Sequence, residues 1–366
     1  MVTHTGEIAT LVAYYLVLGL LAVYGAHRVL MVVLYYRHRA QAPRPNGPLD
    51  PLPRVTVQLP IYNEVYVVER LVEAVAALDY PKELLEIQIL DDSTDETRDI
   101  AKSVALRARA RGLDVAYLPR DNREGFKAGA LQRGLEAGRG EFLLIFDADF
   151  VPRSDLLRQA LPHFSDPGVG MVQARWEHLN RGYSLLTRIQ SVLLDGHFVI
   201  EHTARNRSGC FFNFNGTAGV WRRRCLEEAG GWQSDTLTED LDISYRAQLA
   251  GWRFVYLKDL VAPAELPVDM NGFKSQQHRW AKGSIQTGRK LLPAVFRSAF
   301  SWKIKMEALV HLTANVAYVL GLLLALLIVP AIVIRERIGW QRLAVIDFPL
   351  FFAGTLSFVA FYVCSQ

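Results

Sequence analysis

At 366 residues, 51% of them hydrophobic and with a formal net charge of only +4, the chain can bury a large core and carries too little positive charge for a nucleic-acid partner. Cys210, Cys225 and Cys364 form no CxxC pair, which excludes a zinc ribbon or a disulfide framework and suits a reducing, cytosolic compartment. The apolar residues cluster in one block near the start and two near the end, around a middle of ordinary globular composition, as in a soluble domain flanked by membrane segments.

Residues 8–26 carry no charge and are long enough to cross a hydrocarbon core of ~30 Å. Only His4 and Glu7 precede them, without the basic start or cleavage site of a signal peptide. Arg28, Arg37, Arg39 and Arg44 follow, so the positive-inside rule puts the N-terminus outside and the middle domain in the cytoplasm. Residues 1–40 thus form an N-terminal transmembrane segment, and the proline-rich stretch 41–54 a stiff linker.

The middle domain, 55–280, alternates strand and helix. Strands are expected at 55–59, 86–90, 115–118 and 142–146, and helices at 65–78, 127–137 and between Ser93 and Arg111. Ser93 and Glu96 have capping-box spacing for that last helix. The alternation predicts an α/β, Rossmann-like, mostly parallel sheet covered on both faces. Ligands bind such sheets beyond the carboxyl ends of the strands. Tyr62-Asn63-Glu64, Asp91-Asp92 and Asp147-Ala148-Asp149 each follow an expected strand, which brings acidic and aromatic groups to one crevice. No GxGxxG follows the first strand, so a dinucleotide cofactor is disfavoured.

Further on, residues 281–308 mix basic and apolar side chains and are expected as an amphipathic helix region at the membrane interface, the alternative being a surface helix of the soluble domain. Residues 309–334 and 343–363 read as two more spans, joined by a short basic linker, 335–342, that conflicts mildly with the positive-inside rule. The chain stops directly after an apolar run and reads as a truncated form of something with more spans.

Several groups carry possible chemistry. Asp147 and Asp149 are two apart in extended chain, so both carboxylates point to one side and can hold a hard cation, Mg2+ or Mn2+, with positions left for diphosphate oxygens. Thr238-Glu239-Asp240 opens a helix at 241–249. Capping by Thr238 would fix Asp240, which could then take a proton from an attacking hydroxyl. In Gln276-Gln277-His278-Arg279-Trp280, Arg279 offers a planar fork for phosphate and Trp280 a flat face for a sugar ring. His197, His202, His278 and His311 lack partners at metal-ligand spacing and read as structural or exposed. Gly216-Thr217-Ala218-Gly219 suggests backbone that another group approaches closely.

Pro60-Ile61-Tyr62-Asn63-Glu64, Asp91-Asp92-Ser93, Asp147-Ala148-Asp149, Thr238-Glu239-Asp240 and the pentapeptide 276–280, in this order, resemble the family 2 glycosyltransferases, in particular the processive cellulose-synthase superfamily. The runs 120–131, 212–219 and Glu265-Leu266-Pro267 look closest to the cellulose-synthase-like glucomannan synthases and xyloglucan-backbone glucan synthases. The resemblance implies a GT-A catalytic domain. It implies Tyr62, Glu64 and Asp92 at the nucleotide, Lys127 and Asp147 at the donor, and Asp149 as main metal ligand beside Asp147. It further implies Asp240 as general base with Glu239 beside it, Arg279 on the diphosphate, and Trp280, Gln276 and Thr217 toward acceptor and product.

The implied reaction is a single displacement that moves a hexose from UDP-glucose or GDP-mannose to a growing β-linked polysaccharide in a lipid bilayer. Two rival readings are a transferase that adds one sugar to a membrane lipid and a non-catalytic scaffold. The family's relatives carry more membrane helices after the catalytic domain than the two found here.

Overall fold

The computed structural model describes residues 2–338 and 341–366, with side chains over 5–337 and 345–366. Its centre is a seven-stranded sheet in the order β3-β2-β1-β4-β6-β5-β7. The strands are β1 (Val55–Ile61), β2 (Leu85–Asp91), β3 (Asp114–Pro119), β4 (Phe142–Ile145), β5 (Val169–His178), β6 (Gly219–Arg222) and β7 (Arg253–Ala264). The first four are mutually parallel, β6 runs antiparallel between β4 and β5, and β5 pairs parallel with β7. The mostly parallel sheet is the expected one, and the four expected strands lie within a residue or two of β1 to β4.

β1, β2 and β4 are buried along their length, while β3 at the sheet edge is partly exposed. On one face Val55, Val57 and Leu59 pack with Ile87, Ile89, Val72 and Val104. The other face holds polar residues that bond one another across the strands. Thr56 Oγ1 donates to Glu86 Oε2 at 2.7 Å, and Gln58 Nε2 to Gln88 Oε1 at 3.1 Å. Helix Phe126–Ala137 covers this face.

The structure corrects three local expectations. Helix Thr97–Ala110 has no side-chain cap; Ser93 Oγ instead accepts the Asn63 N–H at 3.0 Å, so the capping-box spacing there builds a loop-to-loop bond. Thr238 likewise caps nothing with its side chain, which bonds Thr287 Oγ1 at 3.2 Å. The interface region 281–308 is two elements. Helix Met270–Arg297 contains the pentapeptide 276–280 and begins at Asp269, whose carboxylate accepts the N–H groups of Asn271 and Gly272, both at 2.9 Å. Helix Trp302–Thr313 follows it, and Leu291, Val295, Ala308 and Leu312 bury themselves against Phe211, Leu241 and Tyr245 of the catalytic domain. The apolar face expected to meet lipid is therefore largely covered by protein, and helix Trp302–Thr313 takes the start of what reads as the second span.

Among the described residues, three helices are long and apolar enough to cross a membrane, over Thr5–His38, Val316–Arg337 and Val345–Cys364. The first belongs to a helix, Val2–His38, that runs well past residue 26. Its Met31 and Tyr35 pack on Ile200, Ala204 and Phe361. Gly25 allows this helix to approach the last one closely: a Cβ there would lie 2.5 Å from the Ala353 carbonyl oxygen and 2.7 Å from Ser357 Oγ. Of the basic linker 335–342, residues 339 and 340 lie outside the described ones, as do the side chains of 338–344. Arg335 pairs with Asp347, and Arg337 with Glu7 at 3.2 Å.

Candidate active site

The parallel register of β1, β2 and β4 brings Tyr62, Asp91 and Asp147 to one edge of the sheet. Because β6 is antiparallel to β4, with Gly219 opposite Ile145, the segment that leads into β6 reaches the same edge. Helix Glu239–Leu249 presents Glu239 and Asp240 from its first turn.

The centre is a knot of charge around the turn 215–217. Lys127 Nζ pairs with Asp147 and donates to the Gly216 carbonyl at 3.0 Å. The Asp147 N–H donates to Thr217 Oγ1 at 2.9 Å. Gly216 has φ +78, and a Cβ on it would stand 3.3 Å from both Asp240 Oδ2 and Lys127 Nζ. Only glycine takes that conformation freely and leaves that space.

Burial, then Glu239, pushes Asp240 up to about 7, against the pull of the Leu241 N–H on its Oδ1 at 2.8 Å. Burial and then the neighbouring Asp147 also push Asp149 up to about 7. Glu64 is raised by burial and by Asp147. Burial raises Glu239 too, although Lys127 opposes the shift. Burial disfavours the Lys127 ammonium, yet Asp147 and Glu239 hold its pKa above the ordinary lysine value.

No group of three His, Cys, Asp or Glu among the described residues could hold a metal alone. Crowding of Asp149 by Asp147 and Glu64 nevertheless fits a divalent cation, which would relieve their repulsion and take remaining ligands from a phosphate group.

Two of the expected site residues have other partners. Asp92 is not open to a ligand: both its oxygens are held by Arg120, at 2.6 Å from Nε and 2.5 Å from Nη2. Arg120 in turn donates to the Glu124 and Phe126 carbonyls and so shapes the loop that delivers Lys127. Thr217 is fully buried beneath Asp147 and out of reach of an acceptor.

Tyr62 is exposed, and the Arg123 guanidinium lies 3.2 Å from its ring centroid. Sequence reasoning missed Arg120 and Arg123 as individual site residues, although both stand in the conspicuous run 120–131. Arg279 is exposed and bonded only to Ser275, at 3.2 Å, in its own helix, so its fork can turn to a ligand. His278 is exposed, while His202 is buried and His311 half-buried, both hydrogen-bonded within the protein.

Beside Asp240 opens a cavity of about 320 Å³. Asp240, Gln276 and Trp280 line one side, Trp176, His197 and Glu201 another, and Tyr24, Arg28, Tyr318, Phe358 and Tyr362 of the apolar helices the third. The arrangement can hold a diphosphate at the crevice, accept a proton at Asp240 and seat a ring-shaped polyol in the cavity.

Comparison with known proteins bears on the family and the fold. The family model for glycosyltransferase-like family 2 proteins matches residues 53–283. The chain is 42% identical over 251 residues to glucomannan 4-beta-mannosyltransferase 2 of Arabidopsis thaliana, covering 67% of this chain and 47% of that protein. To glucomannan 4-beta-mannosyltransferase 1 of Oryza sativa subsp. japonica it is 39% identical over 293 residues, covering 76% and 55%. The chain thus spans about half the length of the curated relatives it matches. A mannosyltransferase from Pyrobaculum calidifontis, solved with GDP-mannose and Mn2+, shares the fold at TM-score 0.64 and 22% identity, over 95% of this chain and 97% of that one. S. aureus TarS residues 1–349 with UDP-GlcNAc superposes at TM-score 0.52 and 16% identity over 72% of each chain. With its GT-A-like sheet, its convergent carboxylates and a family match over most of the catalytic region, the chain belongs to glycosyltransferase family 2.

Proposed function

We propose that the protein is a membrane-bound, inverting mannosyltransferase that moves mannose from GDP-mannose to a hydroxyl of a β-linked glycan. The observation that carries this reading is the position of Asp240 between the donor crevice and the cavity, with a pKa raised into the range of a general base. GDP-mannose is preferred over UDP-glucose because the plant relatives are named mannosyltransferases and the Pyrobaculum enzyme was solved with GDP-mannose.

Asp240 takes the proton of an acceptor hydroxyl. The oxygen's electron pair forms the bond to the anomeric carbon from the face opposite the nucleotide, and the carbon–phosphate-oxygen bond breaks with its electrons passing to GDP. Arg279 and Lys127 bring positive charge toward that leaving group. A divalent cation, Mn2+ or Mg2+, held by Asp149 with Asp147 would neutralise the diphosphate. One displacement on an α-linked donor makes a β bond. Tyr62, with Arg123 over its ring, suits the guanine base, Glu64 the ribose, and Gln276 and Trp280 the acceptor. The arginines after residue 26 favour a cytoplasmic catalytic domain.

One observation favours a second acceptor class. The cavity beside Asp240 is walled partly by membrane helices, which suits a sugar presented on a lipid as well as a polymer end. The test is label transfer by membranes that contain the full chain, with GDP-mannose and UDP-glucose offered separately and Asp240→Asn as control. Metal-dependent mannose in an insoluble, β-linked polymer supports the polysaccharide reading. Label confined to an organic extract assigns the lipid acceptor, and an α linkage by NMR refutes the single displacement.

A further inference from the structure

The helix that begins at Leu185 changes its winding partway. Leu185–Asp195 is α-helical, Gly196–His202 is a π-helix, and Thr203–Arg207 returns to α. A π turn is a costly insertion that persists mostly where its displaced side chains are used. Here those side chains build a continuous chain of polar contacts, partly facing the cavity, from the first membrane helix to the donor crevice.

The chain starts at His27, whose Nε2 lies 2.8 Å from Glu307 Oε2. Arg205, 2% exposed, donates from Nε to Glu307 Oε1 at 2.8 Å and from Nη1 to Glu201 Oε2 at 3.2 Å. His197 Nδ1 meets the same Glu201 oxygen at 3.1 Å, and Asn215 Nδ2 donates to His197 Nε2 at 2.9 Å. The other end of the Asn215 amide accepts from His202 Nε2 at 2.5 Å. An amide nitrogen only donates, so His197 accepts at Nε2 and donates from Nδ1, which gives the chain a direction.

Asn215 precedes Gly216 and Thr217, whose oxygens hold Lys127 and the Asp147 backbone. We propose that Asn215, His197 and Glu201 are positioning residues for the donor, through which the docking of the first membrane helix sets the turn 215–217 and, through it, Lys127 and Asp147. The inference rests on the reading of the crevice as a nucleotide-sugar site. Its competitor is direct contact with an acceptor, since the same side chains line the cavity beside Asp240. Donor binding without acceptor separates the two.

The test uses the full chain in detergent, titrated calorimetrically with GDP-mannose and Mn2+ in the absence of any acceptor, with thermal melts in parallel. His197→Phe keeps a ring against Phe198 and His202 and removes both nitrogens. Losing hydrogen bonds of this kind should weaken donor affinity by roughly five- to tenfold. His27→Leu, at the far end, should weaken it less. The double variant should be non-additive, because both substitutions break one chain. If His197→Phe fails to fold, Glu201→Gln, nearly isosteric, carries the same expectation. Wild-type donor affinity in the variant, whatever its melting temperature, overturns the proposal in favour of a structural or acceptor-contacting role. Strict additivity overturns the link to the membrane helix. A wild-type protein that binds no nucleotide sugar, and is indistinguishable from Lys127→Ala, overturns the donor reading and the positioning role together.

Discussion

Gly216→Ala tests the geometry of the site at its tightest point. Two costs can be worked out. Alanine at φ +78 sits in the left-handed region, which costs an L residue roughly 1–2 kcal/mol. Its Cβ would also meet Asp240 Oδ2 and Lys127 Nζ at 3.3 Å, so each must yield by a few tenths of an ångström. If the backbone instead relaxes to negative φ, the Gly216 carbonyl turns away and Lys127 loses its 3.0 Å bond. A hydrogen bond to a charged group contributes about 1.5–3 kcal/mol, so displacing or losing the Lys127 contact should lower kcat/KM by roughly 10- to 150-fold. Gly112→Ala is the control. It has φ +81 and nothing within 4 Å of the added Cβ, and so carries the backbone strain without the neighbours. Both variants should lose roughly 2–8 °C in melting temperature, and only Gly216→Ala should lose turnover. The assay is mannose transfer from GDP-mannose beside a thermal melt of each variant. A Gly216→Ala enzyme within twofold of Gly112→Ala in kcat/KM would refute the reasoning.

Three further predictions rest on separate features. With Asp240 at about 7, its base form grows as pH rises, so kcat should climb through about pH 7 and level off above it; a rate that falls between about pH 6 and 8 contradicts the assignment. Asp149 and Asp240 hold protons up to about 7 when folded and release them near the ordinary aspartate value of 3.8 when unfolded, so the folded state binds more protons between these values and stability drops as pH rises through that window. Mn2+ should take the place of the proton on Asp149 and raise the melting temperature over an EDTA-treated sample more at about pH 8 than at about pH 6; equal shifts would count against a metal there. Arg120→Met leaves Asp92, 6% exposed, without its partner and should cost roughly 3–5 kcal/mol in chemical denaturation, with Arg120→Met/Asp92→Leu recovering most of it. A loss below about 1 kcal/mol would mean that the pair is not the anchor of the loop before Lys127.

How much of this could be read from sequence depends on how far apart the partners lie along the chain. β1, β2 and β4 are legible because each is a short run rich in β-forming residues that ends in the polar groups of the crevice. β6 has only four residues and pairs antiparallel with strands distant in sequence, so no local period marks it. Asp147 and Asp149 are recognisable because their relation is two residues long. The roles of Asp92 and Thr217 are not, since Arg120 is 28 residues from Asp92 and Asp147 is 70 from Thr217. A capping-box spacing at Ser93 and Glu96 says that two groups can meet, and Asn63 competes successfully for the hydroxyl.

The membrane helices show the same limit. Hydropathy measures transfer out of water and does not distinguish lipid from protein as the destination, so Met31 and Tyr35 read as continuing apolar surface while they dock on the helix that carries Arg205. The basic linker is the converse case. Counting arginines treats each as a free charge, whereas Arg335 and Arg337 meet Asp347 and Glu7 from other segments. His27 and Glu307, 280 positions apart, carry the point furthest: neither residue has a local signature, and the contact between them exists only because the first membrane helix returns to the domain it precedes. Long-range coupling of that kind is where the proposed control of the donor turn lies, and measuring it needs paired substitutions rather than a longer motif search.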